Sequence, residues 1–444
     1  MRINKLKEKL KQEIKEKLFK KENKNKSEKV KEPIIIGITG SRGKSSVAYM
    51  LHSFLKNLGY KSILYSSIEI DSELSYVKKK FAVDNPIKSK AVLLNAVEQC
   101  MDQNADFLIL EVNERAIKLG IIDDVEFDIR VLTNIIEKQN EVFYSDYVDI
   151  KKKFLLDSND DEKLVYVVKD LFCKQLMNEL KNKNQTIIST PYLVDRYDLD
   201  LNKINCLISS NNPIDSINGV KFDLRINKNN YLINSNLLFS YSCFNISCVI
   251  AILNLLNVYD NKKFNNFLDR IVIPGRDEKI SFKNRTIIIS VNLAPQLEEL
   301  NKYKLQGQVN NIIVVTGATG VGFKGWKNEF SEELVNKDKE LAMKFAYNYI
   351  NRYADSIVVT MTDLGTTNID ELFELQNNLL SDSINKSFVK DRKEAIKKAI
   401  LNSKENDIIF ISGRGNREIL CSSYEKISLS KDIDLLKQIL SEVN

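Results

Sequence analysis

The stretch Ile34-Ile35-Ile36-Gly37-Ile38-Thr39-Gly40-Ser41-Arg42-Gly43-Lys44-Ser45-Ser46 restricts this chain more than any other. A short apolar run ends in closely spaced glycines, Lys-Ser follows, and Val47 to Leu55 then has the apolar spacing of a helix. The order reads as strand, glycine loop and helix N-terminus. Glycines let the backbone curl so that several N–H groups and the helix dipole face one anion, Lys44 adds a positive charge, and the Ser45 hydroxyl is a ligand for Mg²⁺. Gly40, Ser41, Arg42, Gly43, Lys44, Ser45 and Ser46 are therefore the candidate polyphosphate-binding residues.

The spacing is a variant one. The common phosphate-loop pattern has a glycine five residues before the glycine of Gly-Lys, where this chain has Ile38, so the match is to Gly-x-Thr-Gly-x-x-Gly-Lys-Ser. At 444 residues the chain is long for a single core and suggests two or three domains. Six cysteines without a Cys-x-x-Cys pair indicate neither a zinc site nor a disulfide framework, which fits a reducing cytoplasm. No apolar run reaches the roughly 18 to 20 residues that cross a bilayer, and the N-terminus lacks the apolar core of a signal peptide.

The net charge of +6 sits at one end. Residues 1–32 hold 13 Lys/Arg against 6 Glu, and the remainder carries 53 against 54. Ile3, Leu6, Leu10, Ile14 and Leu18 recur at helical spacing within this arm, so it reads either as a docking helix for an anionic membrane surface or partner protein, or as a solvated helix. Aromatic residues are not interleaved with the basic run, which argues against stacking on nucleic-acid bases.

Downstream, Lys61 to Ser67 reads as a second strand, and Phe107-Leu108-Ile109-Leu110 as another that ends in Glu111. A carboxylate closing an apolar strand in a phosphate-loop domain is a candidate metal ligand, because parallel strands bring their C-terminal ends to one sheet edge. Ile129 to Leu132 is a buried strand leading into Thr133-Asn134, Tyr147 to Phe154 is helical, and Gly219 to Ile226 with Tyr231 to Asn234 forms a hairpin. Phe244 to Leu253 is an apolar helix, and Ile273-Pro274-Gly275-Arg276 breaks the pattern at a domain boundary. Four further strands, within 286–289, 311–315, 356–359 and 407–411, alternate with helical segments, as in a second parallel-rich α/β domain.

Taken together these pieces resemble the Mur ligase family of ATP-dependent amide ligases. Besides the glycine loop, Asp84-Asn85-Pro86 sits where the muramyl-tripeptide branch has Thr-Thr-Pro, Glu111 matches the family's Mg²⁺-binding Glu, and Thr133-Asn134 its Thr-Asn pair. Asn245 falls on the adenine-contacting Asn and Pro274-Gly275-Arg276 on the hinge. Asp391-Arg392 with Ala395-Ile396, and Gly413-Arg414-Gly415-Asn416-Arg417-Glu418, are similar to two C-terminal motifs of the tripeptide synthetases. The resemblance implies an α/β fold, a P-loop parallel-sheet ATPase domain (33–272) followed by a smaller Rossmann-like α/β domain (273–444). It also implies ATP and Mg²⁺ as cofactors, with Lys44, Glu111 and Lys151 catalytic, Ser45, Glu111 and Lys151 on the metal, and Asn134, Asn245 and Arg276 on the nucleotide. Lys151 stands where the family's lysine, often carbamylated into a metal ligand, follows Tyr; within Lys151-Lys152-Lys153 it reads equally as a solvated lysine.

The implied chemistry is phosphorylation of a small-molecule or polymeric carboxylate by ATP, followed by attack of an amino acid or ammonia on the acyl phosphate. Several motifs depart from the family. Lys138-Gln139 replaces an Asp-His, Asn292-Leu293-Ala294-Pro295 replaces Asp-Tyr-Ala-His-x-Pro, and Val321-Gly322-Phe323 replaces an Asp-Arg-Asp, leaving Lys324 and Lys327 as cations. The acceptor-gripping Asp-Asn-Pro-Arg is missing around Thr362 to Thr366, and His52 is the single histidine, expected to be packed or exposed rather than a ligand. Only 32 residues precede the first strand, where the muramyl-peptide ligases carry a further domain for the UDP sugar. The expectation is a two-domain relative similar to the polyamino-acid or lipid-linked branches. Two functional readings stay open, an amide ligase and a nucleotide-binding subunit that regulates or scaffolds a partner.

Overall fold

A computed structural model describes residues 32–444 except 73–84, 137–144, 182, 209–213, 227, 321–330, 365–366, 418, 423–424, 429 and 444. The basic arm, apart from Glu32, therefore lies outside the described residues. So do Asp84, Lys138-Gln139, Val321-Gly322-Phe323, Lys324, Lys327 and Glu418.

Among the described residues eleven strands form the first sheet. They are β1 (Ile34–Thr39), β2 (Ser62–Tyr65), β3 (Ile70–Asp71), β4 (Phe107–Glu111), β5 (Ile129–Leu132), β6 (Lys163–Val167), β7 (Asn184–Ser189), β8 (Cys206–Ile208), β9 (Ile214–Ser216), β10 (Gly219–Ile226) and β11 (Asn229–Ser235). Their order is β11-β10-β8-β7-β6-β5-β1-β4-β2-β3, with β9 on β10. From β8 to β2 every pairing is parallel, and the two edges are antiparallel. The central strands are apolar without alternation, as strands covered on both faces must be. Helix Lys44–Asn57 and the mostly apolar helix Tyr241–Leu255 cover one face, and helices Lys90–Asp102, Tyr147–Leu156 and Leu171–Glu179 lie over the other.

The second sheet contains β12 (Glu278–Phe282), β13 (Arg285–Ser290), β14 (Ile312–Thr316), β15 (Ser356–Thr360), β16 (Asn385–Val389) and β17 (Ile408–Ser412), ordered β12-β13-β17-β14-β15-β16. Only β12 runs antiparallel. A separate hairpin joins residues 419–422 to 425–428. The four strands expected in this half are present within a residue at each end, whereas β12 and β16 are additional. Their sequences, Glu-Lys-Ile-Ser-Phe and Asn-Lys-Ser-Phe-Val, are half polar because each lies at a sheet edge.

Buried ion pairs fix two corners. Arg130 binds Glu162 through Nε and, at 3.0 Å, through Nη2, beneath the rings of Phe127 and Phe154. Arg392 holds Asp432 at 2.6 and 2.8 Å and donates to the Ser412 carbonyl, while Asp391 caps helix Arg392–Asn402. The Asp-Arg motif thus supports the strand end that carries Gly413. His52 is buried between Ser62 Oγ and Asp71, whose same carboxylate oxygen also accepts from Lys56 at 2.7 Å. It is packed, one of the two outcomes expected for it. Among the described residues, no helix is long and apolar enough to cross a membrane.

Gly37 has the tightest surroundings within a central strand, since an added Cβ would lie 2.5 Å from the Phe127 ring and 2.8 Å from that of Phe154. Gly37→Ala should destabilise the fold by about 1 to 3 kcal/mol, read as a lower urea midpoint at unchanged slope. An unaltered midpoint would mean that the two rings can move aside.

Candidate functional site

Four strand ends meet at one edge of the first sheet. The register pairs Ile38 with Glu111 and Thr39 with Leu132, so the glycine loop after β1 emerges between Glu111 and Thr133-Asn134, with Ser66-Ser67 after β2 beyond Glu111. Gly40 and Gly43 have φ of 144° and 84°. At Gly40 a Cβ would lie 2.0 Å from Thr133 Oγ1, and at Gly43 it would lie 2.3 Å from Asn245 Oδ1. Both positions require glycine.

Thr133 and Asn134 hold this loop from below. Asn134 accepts from Ser41 N through its carbonyl (2.9 Å) and from Arg42 N through Oδ1 (3.1 Å), and its Nδ2 donates to the Arg42 carbonyl (2.9 Å). Thr133 Oγ1 donates to that carbonyl at 2.5 Å, and Tyr147 OH to Ser41 Oγ at 3.0 Å. Asn134 therefore lines the cleft while its side chain shapes the loop. Helix Lys44–Asn57 begins with Gly43 at its N-cap and no side-chain cap, so its first-turn amides have no side-chain acceptor where the loop curls. An anion at this point gains from the amides and the dipole together.

Glu111 is buried and accepts from Ser45 Oγ (2.9 Å) through one oxygen and from Ser66 Oγ and Ser67 N (both 2.7 Å) through the other. Burial alone would raise its pKa; the charge of Lys44, the bonds from Ser67 and Ser66, and the charge of Arg276 overcome this and hold the carboxyl below the usual value of 4.5. Ser45 Oγ and Glu111 Oε1, 2.9 Å apart, have the spacing of two adjacent ligands on an octahedral ion with bonds of about 2.1 Å. A hard oxygen pair of this kind fits Mg²⁺. Lys44 Nζ at present donates to the Gly40 carbonyl at 2.8 Å, within the loop's own curl.

Lys151 is fully buried, which overturns its reading as a solvated lysine. In the run of three, only Lys151 faces the sheet; Lys152 pairs with Glu179 and Lys153 points outward. Its Nζ donates to Thr39 Oγ1 (3.1 Å) and Glu114 Oε2 (3.0 Å). As it stands Lys151 is a donor rather than a metal ligand. Burial works to raise the Glu114 pKa, but Lys151 and Lys44 bring it down to about 2.

The second half of the chain completes the site. The cleft has a volume of about 540 Å³. Its walls include the glycine loop, Glu111, Asn134 and Asn245 from the first sheet's side, and Arg276, Asn292, Pro295, Asn416 and Arg417 from the other. Arg276 Nη2 reaches Ser67 Oγ at 3.3 Å, Asn416 Nδ2 donates to the Ile68 carbonyl at 3.0 Å, and a Cβ on Gly275 would lie 2.4 Å from Asn416 N. Asn85, which sequence reading had placed by motif alone, accepts from Asn113 on the cleft wall at 2.6 Å. Sequence reading missed Ser66-Ser67, Glu114, Arg115, Lys169, Tyr241 and Gln296, all on or beside the cleft. These are single polar residues in ordinary surroundings, and only the strand order brings them together.

Comparison with known proteins bears on the fold that carries this cleft. The Mur ligase middle domain model matches residues 38–253. A UDP-N-acetylmuramyl-tripeptide synthetase of Borreliella afzelii is 25% identical over 419 residues, covering 88% of this chain and 76% of the relative. Among solved structures, Mycobacterium tuberculosis folylpolyglutamate synthase complexed with ADP and AMPPCP superposes with a TM-score of 0.61 at 15% identity, covering 86% of this chain and 88% of that one. MurF ligase from Thermotoga maritima in complex with ADP gives 0.59 at 12%, covering 93% and 81%. With a parallel phosphate-loop sheet, a second Rossmann-like α/β sheet and a cleft built from both, the chain is similar in sequence and fold to Mur ligases, and its residues 38–253 match their middle domain.

Proposed function

We propose that this protein is an ATP-dependent, ADP-forming carboxylate–amine ligase that joins an amino acid or ammonia to a small-molecule or polymeric carboxylate, in cell-wall or polyamino-acid synthesis. The observation that carries the reading is the Ser45–Glu111 pair, 2.9 Å apart beside Lys44 and an uncapped helix N-terminus, in a cleft that the second half of the chain closes. ATP enters as substrate. A carboxylate oxygen attacks its γ-phosphorus as the bond to the β-phosphate oxygen breaks, and ADP leaves; the amine nitrogen then attacks the acyl carbon, phosphate leaves, and the amine loses a proton. Mg²⁺, when bound, supplies charge neutralisation of the phosphates.

The protein's part is positional and electrostatic. Ser45 and Glu111 would hold the ion, and Lys44 neutralises phosphate charge. Gly40 to Ser46 present backbone N–H groups, while Asn134 acts through the loop it shapes. Asn245 packs on Gly43 where the base side of the nucleotide would lie, and Arg276 bridges the hinge to Ser67. Lys151 holds Glu114 and Thr39 as a positioning cation. Arg115, Arg276 and Arg417 on the cleft wall suit a carboxylate substrate. The basic arm, residues 1–32, belongs to the same reading as a docking element for an anionic membrane surface or partner protein.

Release of ADP and phosphate with pooled amino acids and carboxylates should fall by at least about a hundredfold in Lys44→Ala. Nucleotide binding without substrate-stimulated, Lys44-dependent turnover would sink the ligase reading and leave a regulatory subunit. A second measurement is the Mg²⁺-dependent affinity for ADP as a function of pH. Glu111 and Glu114 both lie below 4.5 in the folded protein, so each stays charged above that value and protonates only as the pH falls through its lowered pKa. From about pH 8 to about pH 5 the affinity should follow only the protonation of ADP's own terminal phosphate, with a pKa of about 6, and a further protein-side decline in that range would contradict the assignment. Deletion of residues 1–32 should weaken binding to anionic vesicles or partner and spare ADP binding; unchanged vesicle and partner binding would remove the arm from the reading.

A further inference from the structure

Two cations on the cleft wall have no acceptor among the described residues. Arg42 is exposed at the turn of the glycine loop; its backbone is held by Asn134, but its guanidinium makes no hydrogen bond or ion pair there. Lys169 follows β6, half-buried, with Nζ 5.2 Å from the centroid of the Phe244 ring. Its ammonium likewise donates to no described acceptor. The neighbouring acid does not pair with it, because Asp170 caps helix Leu171–Glu179 through Cys173 N at 2.8 Å. Both cations line the cleft together with Phe244 and Asn245, on the side where Asn245 packs against Gly43.

Like charges close together on one cleft wall repel each other, and an anion settling between them relieves that repulsion. Burial pushes the Lys169 ammonium's pKa down against the pull of Asp170, and the Arg42 charge pushes it the same way. Lys44 and the amides of helix Lys44–Asn57 already serve one anion position, next to Ser45 and Glu111. Arg42 and Lys169 line the same cleft, with the Lys169 ammonium over the Phe244 ring.

We propose that Arg42 and Lys169 form a second oxyanion clamp, on the Phe244 side of the glycine loop, that takes the nucleotide phosphate nearest the base and leaves Lys44 and the helix N-terminus to the terminal phosphates. The proposal rests on the nucleotide reading above. It makes Lys169 a residue that distinguishes a nucleotide from its nucleoside. A substrate carboxylate or free phosphate has the same oxyanion chemistry, and the experiment separates these sources.

The test is equilibrium competition against a fluorescent ADP analogue, using the full-length protein with adenosine, AMP, ADP, inorganic phosphate and acetate as competitors. Wild type should bind AMP more tightly than adenosine. Lys169→Met and Arg42→Gln should each lower AMP and ADP affinity by roughly ten- to a hundredfold, the loss of a charge-assisted hydrogen bond, and leave adenosine unchanged. Lys169→Arg should keep the preference for AMP, which separates charge from packing. An AMP-to-adenosine ratio unaltered in Lys169→Met overturns the clamp, and an equal loss for adenosine overturns it in favour of a base contact. If phosphate or acetate competition depends on Lys169 while AMP affinity does not, the site takes a free oxyanion and the nucleotide assignment falls. Wild type that binds no nucleotide at all defeats the underlying reading instead.

Discussion

The carboxylate of Glu111 is the point on which the site turns. A buried, ionised acid is costly, and it survives here because three serine hydroxyls, a backbone amide and two cations converge on it. Those partners come from separate parts of the chain: Lys44 and Ser45 from the glycine loop, Ser66 and Ser67 from the end of β2, and Arg276 from the hinge. Keeping Glu111 charged therefore requires that β1, β2 and β4 end at the same level and that the hinge lie over them. The parallel order β5-β1-β4-β2 meets the first condition, and the contacts of Gly275 and Asn416 meet the second.

Behind this carboxylate is a second ion pair, the buried Lys151 with the half-buried Glu114. It shows how a dry interior converts a residue's meaning. On a solvated helix face, a run of three lysines carries little information. One of the three, turned toward the sheet, has no water to solvate it and can persist charged only with acceptors at hand. Thr39 at the end of β1 and Glu114 just beyond β4 supply them, so the lysine ties together the same strand ends that carry the glycine loop and Glu111.

The cleft belongs to both halves of the chain. The first sheet supplies the phosphate-facing wall, and the second supplies Asn292, Pro295, Asn416 and Arg417 opposite. Gly275, in the left-handed region at φ 64°, lets the hinge backbone approach the Gly415-Asn416 turn closely, where a side chain would collide. The hinge is thereby fixed against the loop that closes the cleft, and Arg276 reaches across it to Ser67. Substrates held between the two walls would be brought together by packing that neither half provides alone.

The sequence by itself determined the parts whose signal is local. A glycine loop between an apolar strand and a helix must curl in one way, and an apolar run of four or five residues becomes a central strand wherever it falls in the sheet. Gly40, Gly43, Lys44, Ser45, Glu111, Thr133 and Asn134 were legible for that reason, as were the hinge and the main strands of the second sheet. The tertiary structure decided what depends on strand order and on the loss of water. It gathered Ser66, Ser67 and Arg276 around Glu111, gave Asn134 to the loop backbone, buried Lys151 against Glu114, and set Lys169 over the Phe244 ring in the cleft that Arg42 also lines. None of these has a pattern along the chain, because hydrogen bonds and charge interactions act through a few ångströms of space between residues that can be dozens or hundreds of positions apart.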